Sequence, residues 1–156
     1  MSRPVSDARV ILLAGEEFQR GERLKEILDN AVDPATRDFN FDVIWCRARK
    51  SDEPDAFTPE KFTSLIMTYP LMAERRVVVL RNFDELPPEY RKKASAAIMD
   101  APETTLIIAE GEKAALDPKP KAGFVSETFK PVYESKLPQW IRDRFRRKNR
   151  TASPTP

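Results

Sequence analysis

Residues 69–82 read YPLMAERRVVVLRN, and they contain the end of a helix, an apolar pair and the start of a buried strand. Pro70 disfavours helical geometry at Tyr69, so a preceding helix must stop or kink there. The uninterrupted apolar run Val77–Leu80 is typical of a strand buried on both faces of a parallel sheet. Leu71-Met72 falls between these two elements, at the tip of the helix, from where an apolar pair could fill a pocket on a partner protein.

On both sides of this stretch, apolar runs of strand length alternate with segments of helical periodicity. This alternation predicts an α/β domain with a mostly parallel five-stranded sheet and helices on its faces. Strands are expected at residues 9–14, 42–47, 76–80, 104–109 and 124–129, and helices at residues 17–32, 58–69, 88–100 and 137–145. The predicted buried stripes are Leu24, Ile27, Leu28 and Ala31 in the first helix, Phe62, Leu65, Ile66 and Tyr69 in the second, and Leu137, Trp140, Ile141 and Phe145 in the last. We divide the chain into a tail at residues 1–7, one domain at residues 8–148, and a linker or disordered end at residues 149–156.

The composition excludes several classes of function. The chain has 156 residues, enough for one domain with a proper core, and its 27 basic and 25 acidic side chains indicate no particular partner. It has no histidine, which excludes Ser-His and Cys-His nucleophiles and imidazole metal sites. The single cysteine, Cys46, lies in an apolar run and is predicted to be an inert buried thiol, as suits a reducing cytoplasm. The sequence has neither an apolar signal core nor a run near the roughly 20 apolar residues of a membrane span, so we expect neither secretion nor insertion.

The first predicted strand leads into a turn that looks like a nucleotide-binding loop stripped of its phosphate-handling residues. A working loop needs G-x-x-x-x-G-K-[ST], in which backbone amides cradle phosphate, lysine neutralises charge and the hydroxyl holds magnesium. Counting from Gly15, the last three positions are Arg20, Gly21 and Glu22. The second glycine is displaced, and the lysine and the hydroxyl are missing. Glu16 and Glu17 add two carboxylates at the helix N-terminus, where they repel phosphate and cap the helix themselves. We therefore predict a degenerate nucleotide loop with no cofactor, no metal ion and no nucleotide hydrolysis.

Five segments are similar, in their order and spacing, to one known family, and together they span about residues 8–148. They are Leu12–Phe18, Asp38–Asn40, Tyr69–Val79, Ala101–Ile108 and Leu137–Ile141. Through them the chain resembles the N-terminal domain of the delta subunit of the bacterial DNA polymerase III clamp loader. The resemblance implies a three-layer ATPase-like domain of the RecA/AAA+ type without a working nucleotide site.

The resemblance also implies a function, because delta binds the sliding clamp (the beta subunit) and opens its ring for loading onto DNA during replication. In the family, two adjacent hydrophobic residues at the tip of the helix before the third strand enter a clamp pocket. By alignment these are Leu71 and Met72, flanked by Tyr69 and Pro70. The domain would catalyse nothing itself and would act in the bacterial cytoplasm as part of a DNA-directed DNA polymerase (nucleotidyltransferase) holoenzyme. In the full-length protein the gamma/tau and delta prime subunits would be further partners, through delta domains that follow this one and are absent here.

Other interpretations stay open. From spacing alone, Leu71-Met72 would more often be core residues that close a helix, and Gly15–Glu17 would be an ordinary capped turn. The domain could instead be a nucleotide-binding, P-loop-like ATPase. It could also be a basic-tailed DNA-binding module, since residues 136–150 carry a net charge of +6. The candidate DNA contacts are Arg144, Arg146, Arg147 and Lys148, although a solvated helix face explains these charges more simply.

Overall fold

A computed structural model describes residues 7–46 and 57–131, together with Arg144, which is helical and exposed. The elements in chain order are β1 (Val10–Gly15), α1 (Glu17–Ala31), a 3₁₀ turn (Pro34–Thr36), α2 (Arg37–Asn40), β2 (Phe41–Trp45), α3 (Pro59–Ile66), β3 (Arg76–Arg81), a second 3₁₀ turn (Phe83–Glu85), α4 (Pro88–Met99), β4 (Thr105–Gly111) and β5 (Phe124–Phe129). The predicted buried stripe of the last helix and the end at residues 149–156 lie outside the described residues. The division into tail, domain and linker therefore stays a prediction.

The sheet has five strands in the order β2-β3-β4-β1-β5, and all four neighbouring pairs are parallel. The α/β prediction is thus confirmed. Because the strands are parallel, every strand begins at one edge of the sheet, called here the amino edge, and ends at the opposite carboxyl edge. Strands of six residues or so separate these edges by about 20 Å.

Two hydrophobic cores lie on opposite faces of the sheet, so the domain has three layers. Helices α3 and α4 cover one face, where Phe62, Ile66, Ala94 and Ile98 pack with Val10, Leu12, Val78 and Leu80. Helix α1 covers the other face, where Leu24 and Ile27 pack with Ile11, Leu13, Val77 and Val79. Alternate residues of β1 and β3 therefore enter different cores, as expected of strands buried on both faces.

Helix α3 ends earlier than the sequence predicts. Thr58 caps its start, because the Thr58 hydroxyl accepts a hydrogen bond from the Lys61 amide at 3.1 Å. Its last residue is Ile66, whose carbonyl oxygen accepts a hydrogen bond from the Thr105 hydroxyl at 3.1 Å. The expectation that Tyr69 belongs to the buried stripe is wrong, since Tyr69 is 70% exposed. Pro70 keeps Tyr69 out of the helical region, and the chain has already left the helix before that point.

Cys46 is buried directly after β2, and burial raises the pKa of its thiol above the ordinary value. Only the thiolate reacts readily with alkylating reagents. We expect iodoacetamide to label Cys46 far more slowly in the folded protein than in concentrated urea, as mass spectrometry would show. Because the chain has one cysteine, the urea sample is its own control. Equal labelling rates in both conditions would show that the thiol is accessible.

Candidate functional site

Exposed apolar side chains are concentrated at the amino edge of the sheet. Seven large hydrophobic side chains are exposed among the described residues, and five of them lie at position 39 or within residues 67–72. These five, called here the apolar patch, are Phe39, Met67, Tyr69, Leu71 and Met72. Single exposed apolar residues are ordinary on protein surfaces, so it is the number of them at one edge, four within six residues, that makes this surface a candidate for contact with another molecule.

Leu71 and Met72 lie in the segment of residues 67–75, which joins α3 to β3 without forming a helix or a strand. The expectation that the pair lies at the tip of the helix is therefore wrong, because α3 ends at Ile66, five residues before Leu71. Leu71 is 54% exposed and Met72 is 82% exposed. Met72 has a φ of 59°, in the left-handed region, which costs about 1–2 kcal/mol for a residue other than glycine. Neighbouring structure must therefore hold the segment in this conformation.

A side chain from another part of the chain holds this segment. Asn40, the last residue of α2, donates a hydrogen bond from Nδ2 to the Leu71 carbonyl oxygen at 2.6 Å. The Leu71 amide donates to Asn40 Oδ1, also at 2.6 Å. Both main-chain polar groups of Leu71 are thus bonded to one buried amide, while the Leu71 side chain remains in solvent.

A second link closes the same region. The buried Arg76, the first residue of β3, donates from Nη1 to the Phe39 carbonyl oxygen at 2.9 Å and pairs with the Asp42 carboxylate. Arg75 donates to the Ala8 carbonyl oxygen at 3.0 Å. The segment that carries Leu71 and Met72 is therefore tied to α2 on one side and to the start of β1 on the other.

A groove of about 990 Å³ opens beside this segment, between it and the end of α1. Its lining includes Ile27, Val32, Pro34, Met72 and Val77. The groove leaves one side of Met72 uncovered by the body of the domain, which accounts for the high exposure of this side chain.

The degenerate nucleotide loop lies at the opposite, carboxyl edge. The Glu16 carboxylate caps α1 by accepting hydrogen bonds from the amides of Phe18 at 3.0 Å and Gln19 at 2.7 Å. The Glu16 amide itself donates to the Phe129 carbonyl oxygen at 2.9 Å. Three of the amides at this helix start, which a phosphate would otherwise bind, are therefore already bonded within the protein.

Gly15 is required at its position. Its φ is 109°, and a Cβ atom placed there would lie 2.0 Å from the Phe129 carbonyl oxygen. By contrast, Arg20, Gly21 and Glu22 lie inside α1, so the displaced glycine forms no part of a loop. Gly15 thus serves a close contact between the end of β1 and the end of β5.

Sequence reasoning missed Glu110, a carboxylate that is only 1% exposed near the end of β4. Its two oxygens accept hydrogen bonds from Arg20 Nε at 2.6 Å, Arg81 Nε at 2.9 Å and the Asn82 amide at 3.1 Å. The predicted strand stopped at Ala109, one residue too early to include it. A charged residue that directly continues an apolar run is the signal that could have found it, because buried charges need partners. The Arg20 guanidinium, which occupies a position of the degenerate loop motif, is therefore paired with the Glu110 carboxylate.

The cleft above this ion pair is acidic. It has a volume of about 640 Å³, and its lining includes five carboxylates but only two cationic side chains. The carboxylates are those of Glu16, Glu17, Asp84, Glu85 and Glu112, and the cations are Arg20 and Lys113. The charge of this cleft disfavours a polyphosphate.

The apolar patch and the degenerate nucleotide loop do not form one site in the folded domain. The apolar patch lies at the amino edge and the degenerate loop at the carboxyl edge, about 20 Å away along the strands. Of the candidate DNA contacts, Arg144 is exposed, and Arg146, Arg147 and Lys148 lie outside the described residues.

Comparison with known proteins places these features in a family context. The family model for DNA polymerase III, delta subunit, matches residues 11–133, well over half of the chain. Among solved structures, the Bacillus subtilis DNA clamp loader delta protein matches with a TM-score of 0.59 and 20% sequence identity, covering 82% of this chain and 40% of its own. A DNA polymerase III gamma subunit-related protein from Thermotoga maritima gives a TM-score of 0.48 at 16% identity, covering 88% of this chain and 44% of its own. A search of curated proteins finds no match. The chain thus spans less than half the length of either solved structure, and the Bacillus likeness is evidence of a shared fold.

Proposed function

This chain belongs to the DNA polymerase III delta-subunit family, and on that premise we propose that it binds the sliding clamp through Leu71 and Met72. Delta subunits are components of the clamp loader, which acts in DNA replication. The domain would bind the clamp surface and, within the assembled loader, help to open the clamp ring. The proposed partners are the beta clamp first, and the gamma/tau and delta prime subunits in the full-length protein.

The observation that carries this proposal is the exposure of an adjacent apolar pair on an anchored backbone. A few buried anchors usually dominate the free energy of a protein interface, and they tend to fill pockets on the partner. Leucine suits such a pocket by size, and the flexible thioether of Met72 can adapt to an irregular apolar one. Tyr69 and Pro70 would lie at the rim, and Phe39 would extend the same surface.

Binding of the purified clamp to this 156-residue chain, measured by surface plasmon resonance, tests the proposal. We expect saturable binding that a Phe18→Ala variant retains in full. Phe18 is a suitable control because it is 40% exposed yet lies in the first turn of α1, at the carboxyl edge. A complete lack of binding by the wild-type chain at high clamp concentration would overturn the proposal.

We also propose that the loop at Gly15 does not bind nucleotide. The amides of Glu16, Phe18 and Gln19 are already bonded, and the cleft beside them is lined mainly by carboxylates. Isothermal titration with ATP and Mg²⁺ is expected to give only the heat of dilution, and ATP should leave the melting temperature unchanged. Saturable heat would support the alternative of a P-loop-like ATPase domain.

The family points to the bacterial cytoplasm as the place of action, which we adopt as part of the proposal. Within residues 7–46 and 57–131, no helix has the length and apolar character needed to cross a bilayer. Contact with DNA through the basic segment at residues 144–148 stays a prediction, and we expect it to be indirect and secondary to clamp binding.

A further inference from the structure

Asn40 makes two hydrogen bonds to the backbone of a residue 31 positions away, and these bonds have no role in any strand pairing. Asn40 is 4% exposed, whereas its neighbour Phe39 is 58% exposed. A buried primary amide must find partners for its donor and its acceptor, or its burial is costly. Here it finds both on Leu71.

The pair of hydrogen bonds resembles the pair that two residues exchange in an antiparallel sheet, except that the Asn40 side chain replaces the backbone of the second strand. The Asn40 amide offers an N–H and a C=O, and Leu71 offers the complementary pair. This arrangement fixes the Leu71 backbone while leaving its side chain free. Arg76 directly follows the segment of residues 67–75, and its hydrogen bond to the Phe39 carbonyl oxygen fixes the C-terminal end of that segment.

The Asn40 hydrogen bonds hold Leu71 directly before a residue, Met72, whose backbone conformation is unfavourable. Met72 follows Leu71 directly and has a φ of 59°, which residues with a Cβ rarely adopt. Without the Asn40 hydrogen bonds, the backbone around Leu71 would sample other conformations, because it belongs to no helix or strand. Only a fraction of molecules would then present both apolar side chains in the orientation seen here.

We propose that Asn40 is a positioning residue that sets the conformation of Leu71-Met72 before the clamp arrives. This inference rests on the proposed function, since it concerns how the same surface binds. A site that is formed in every molecule binds with its intrinsic affinity. When the site is formed in only a fraction of the molecules, the apparent affinity is the intrinsic affinity multiplied by that fraction. The loss should therefore appear in the association rate, with the dissociation rate nearly unchanged.

The test compares Asn40→Ala with a matched Gln19→Ala control, because the Gln19 side-chain amide also bonds a distant main-chain group, the Lys130 carbonyl oxygen at 2.9 Å, but does so at the carboxyl edge. We expect Asn40→Ala to lower the association rate constant for the purified clamp about tenfold, while the dissociation rate constant stays within about twofold. Gln19→Ala should leave both rate constants unchanged. Urea denaturation would report the folded fraction, to which each rate is normalised.

Hydrogen exchange of the Leu71 amide gives a readout that needs no clamp. This amide should exchange at least about tenfold faster in Asn40→Ala than in the wild type, because its acceptor is gone. If Asn40→Ala is too unstable to assay, the same-sized Asn40→Asp removes the donor to the Leu71 carbonyl oxygen, and slower association is expected there too.

The outcomes separate this inference from the proposed function. A wild-type chain that does not bind the clamp would overturn both. A wild-type chain that binds, with an Asn40→Ala variant that associates equally fast, would overturn the positioning role alone. A variant whose loss lies wholly in faster dissociation, with the Leu71 amide still protected, would also contradict it.

Discussion

Replacing Leu71 and Met72 together by alanine is expected to weaken binding of the sliding clamp by roughly a thousandfold. Each side chain is proposed to fill a pocket at the centre of the interface, where truncation typically costs about 2 kcal/mol or more. The affinity of each single variant and of the double variant would be measured by surface plasmon resonance against immobilised clamp.

The stability of the double variant should barely change, because both side chains are more than half exposed in the free domain. A change in the free energy of unfolding below about 0.5 kcal/mol is expected in urea. The Asn40 hydrogen bonds join main-chain atoms of Leu71 and survive the substitution. Undiminished clamp affinity in the double variant would show that the interface lies elsewhere.

Replacing Glu110 by alanine is expected to cost about 3–5 kcal/mol in the free energy of unfolding. The substitution removes the only charged partner that the structure gives to the buried Arg20 side chain in the described residues. It also takes an acceptor from the Asn82 amide and from Arg81, whose larger exposure makes its share smaller. A fall in the urea midpoint at unchanged slope would measure the loss.

Glu112→Ala is the matched control, because Glu112 is an exposed carboxylate two residues further along the same edge. Its effect should stay within about 0.5 kcal/mol. If Glu110→Ala lost less than about 1 kcal/mol, the buried ion pair would not hold the carboxyl edge together. The structure would then need another explanation for a carboxylate at that depth.

The layers of the fold could be predicted from the sequence because each strand is a local signal. The runs at Val10–Ala14 and Val77–Leu80 are apolar over their whole length, which already indicates burial on both faces. Local signals also located Thr58 as a cap and the strand Phe124–Phe129. The end of α3 could not be placed, since Pro70 limits where a helix can reach but not how early it stops.

The exposed pair of the candidate site, Leu71 and Met72, was named from the sequence, but the buried residues that hold the structure around it were not. The position of Leu71 and Met72 between a helix and a strand raised the possibility of a surface pair, but only the family resemblance favoured it, because nothing in their spacing distinguishes an exposed pair from a core pair. Asn40 and Glu110 act through partners 31 and 28 to 90 positions away, so their roles depend on folded contacts. Long-range pairing of this kind leaves no periodicity in a single sequence.

Oxidative footprinting of methionine tests the central claim most directly. Met72 is 82% exposed, and Phe18, which is 40% exposed at the opposite, carboxyl edge, serves as an internal control in the same sample. Hydroxyl radicals should oxidise Met72 readily in the free chain and several-fold less when a saturating amount of clamp is bound, while oxidation of the Phe18 ring stays the same. Equal oxidation of Met72 in the free and bound chains, at proven saturation, would contradict the proposal that this side chain enters the clamp.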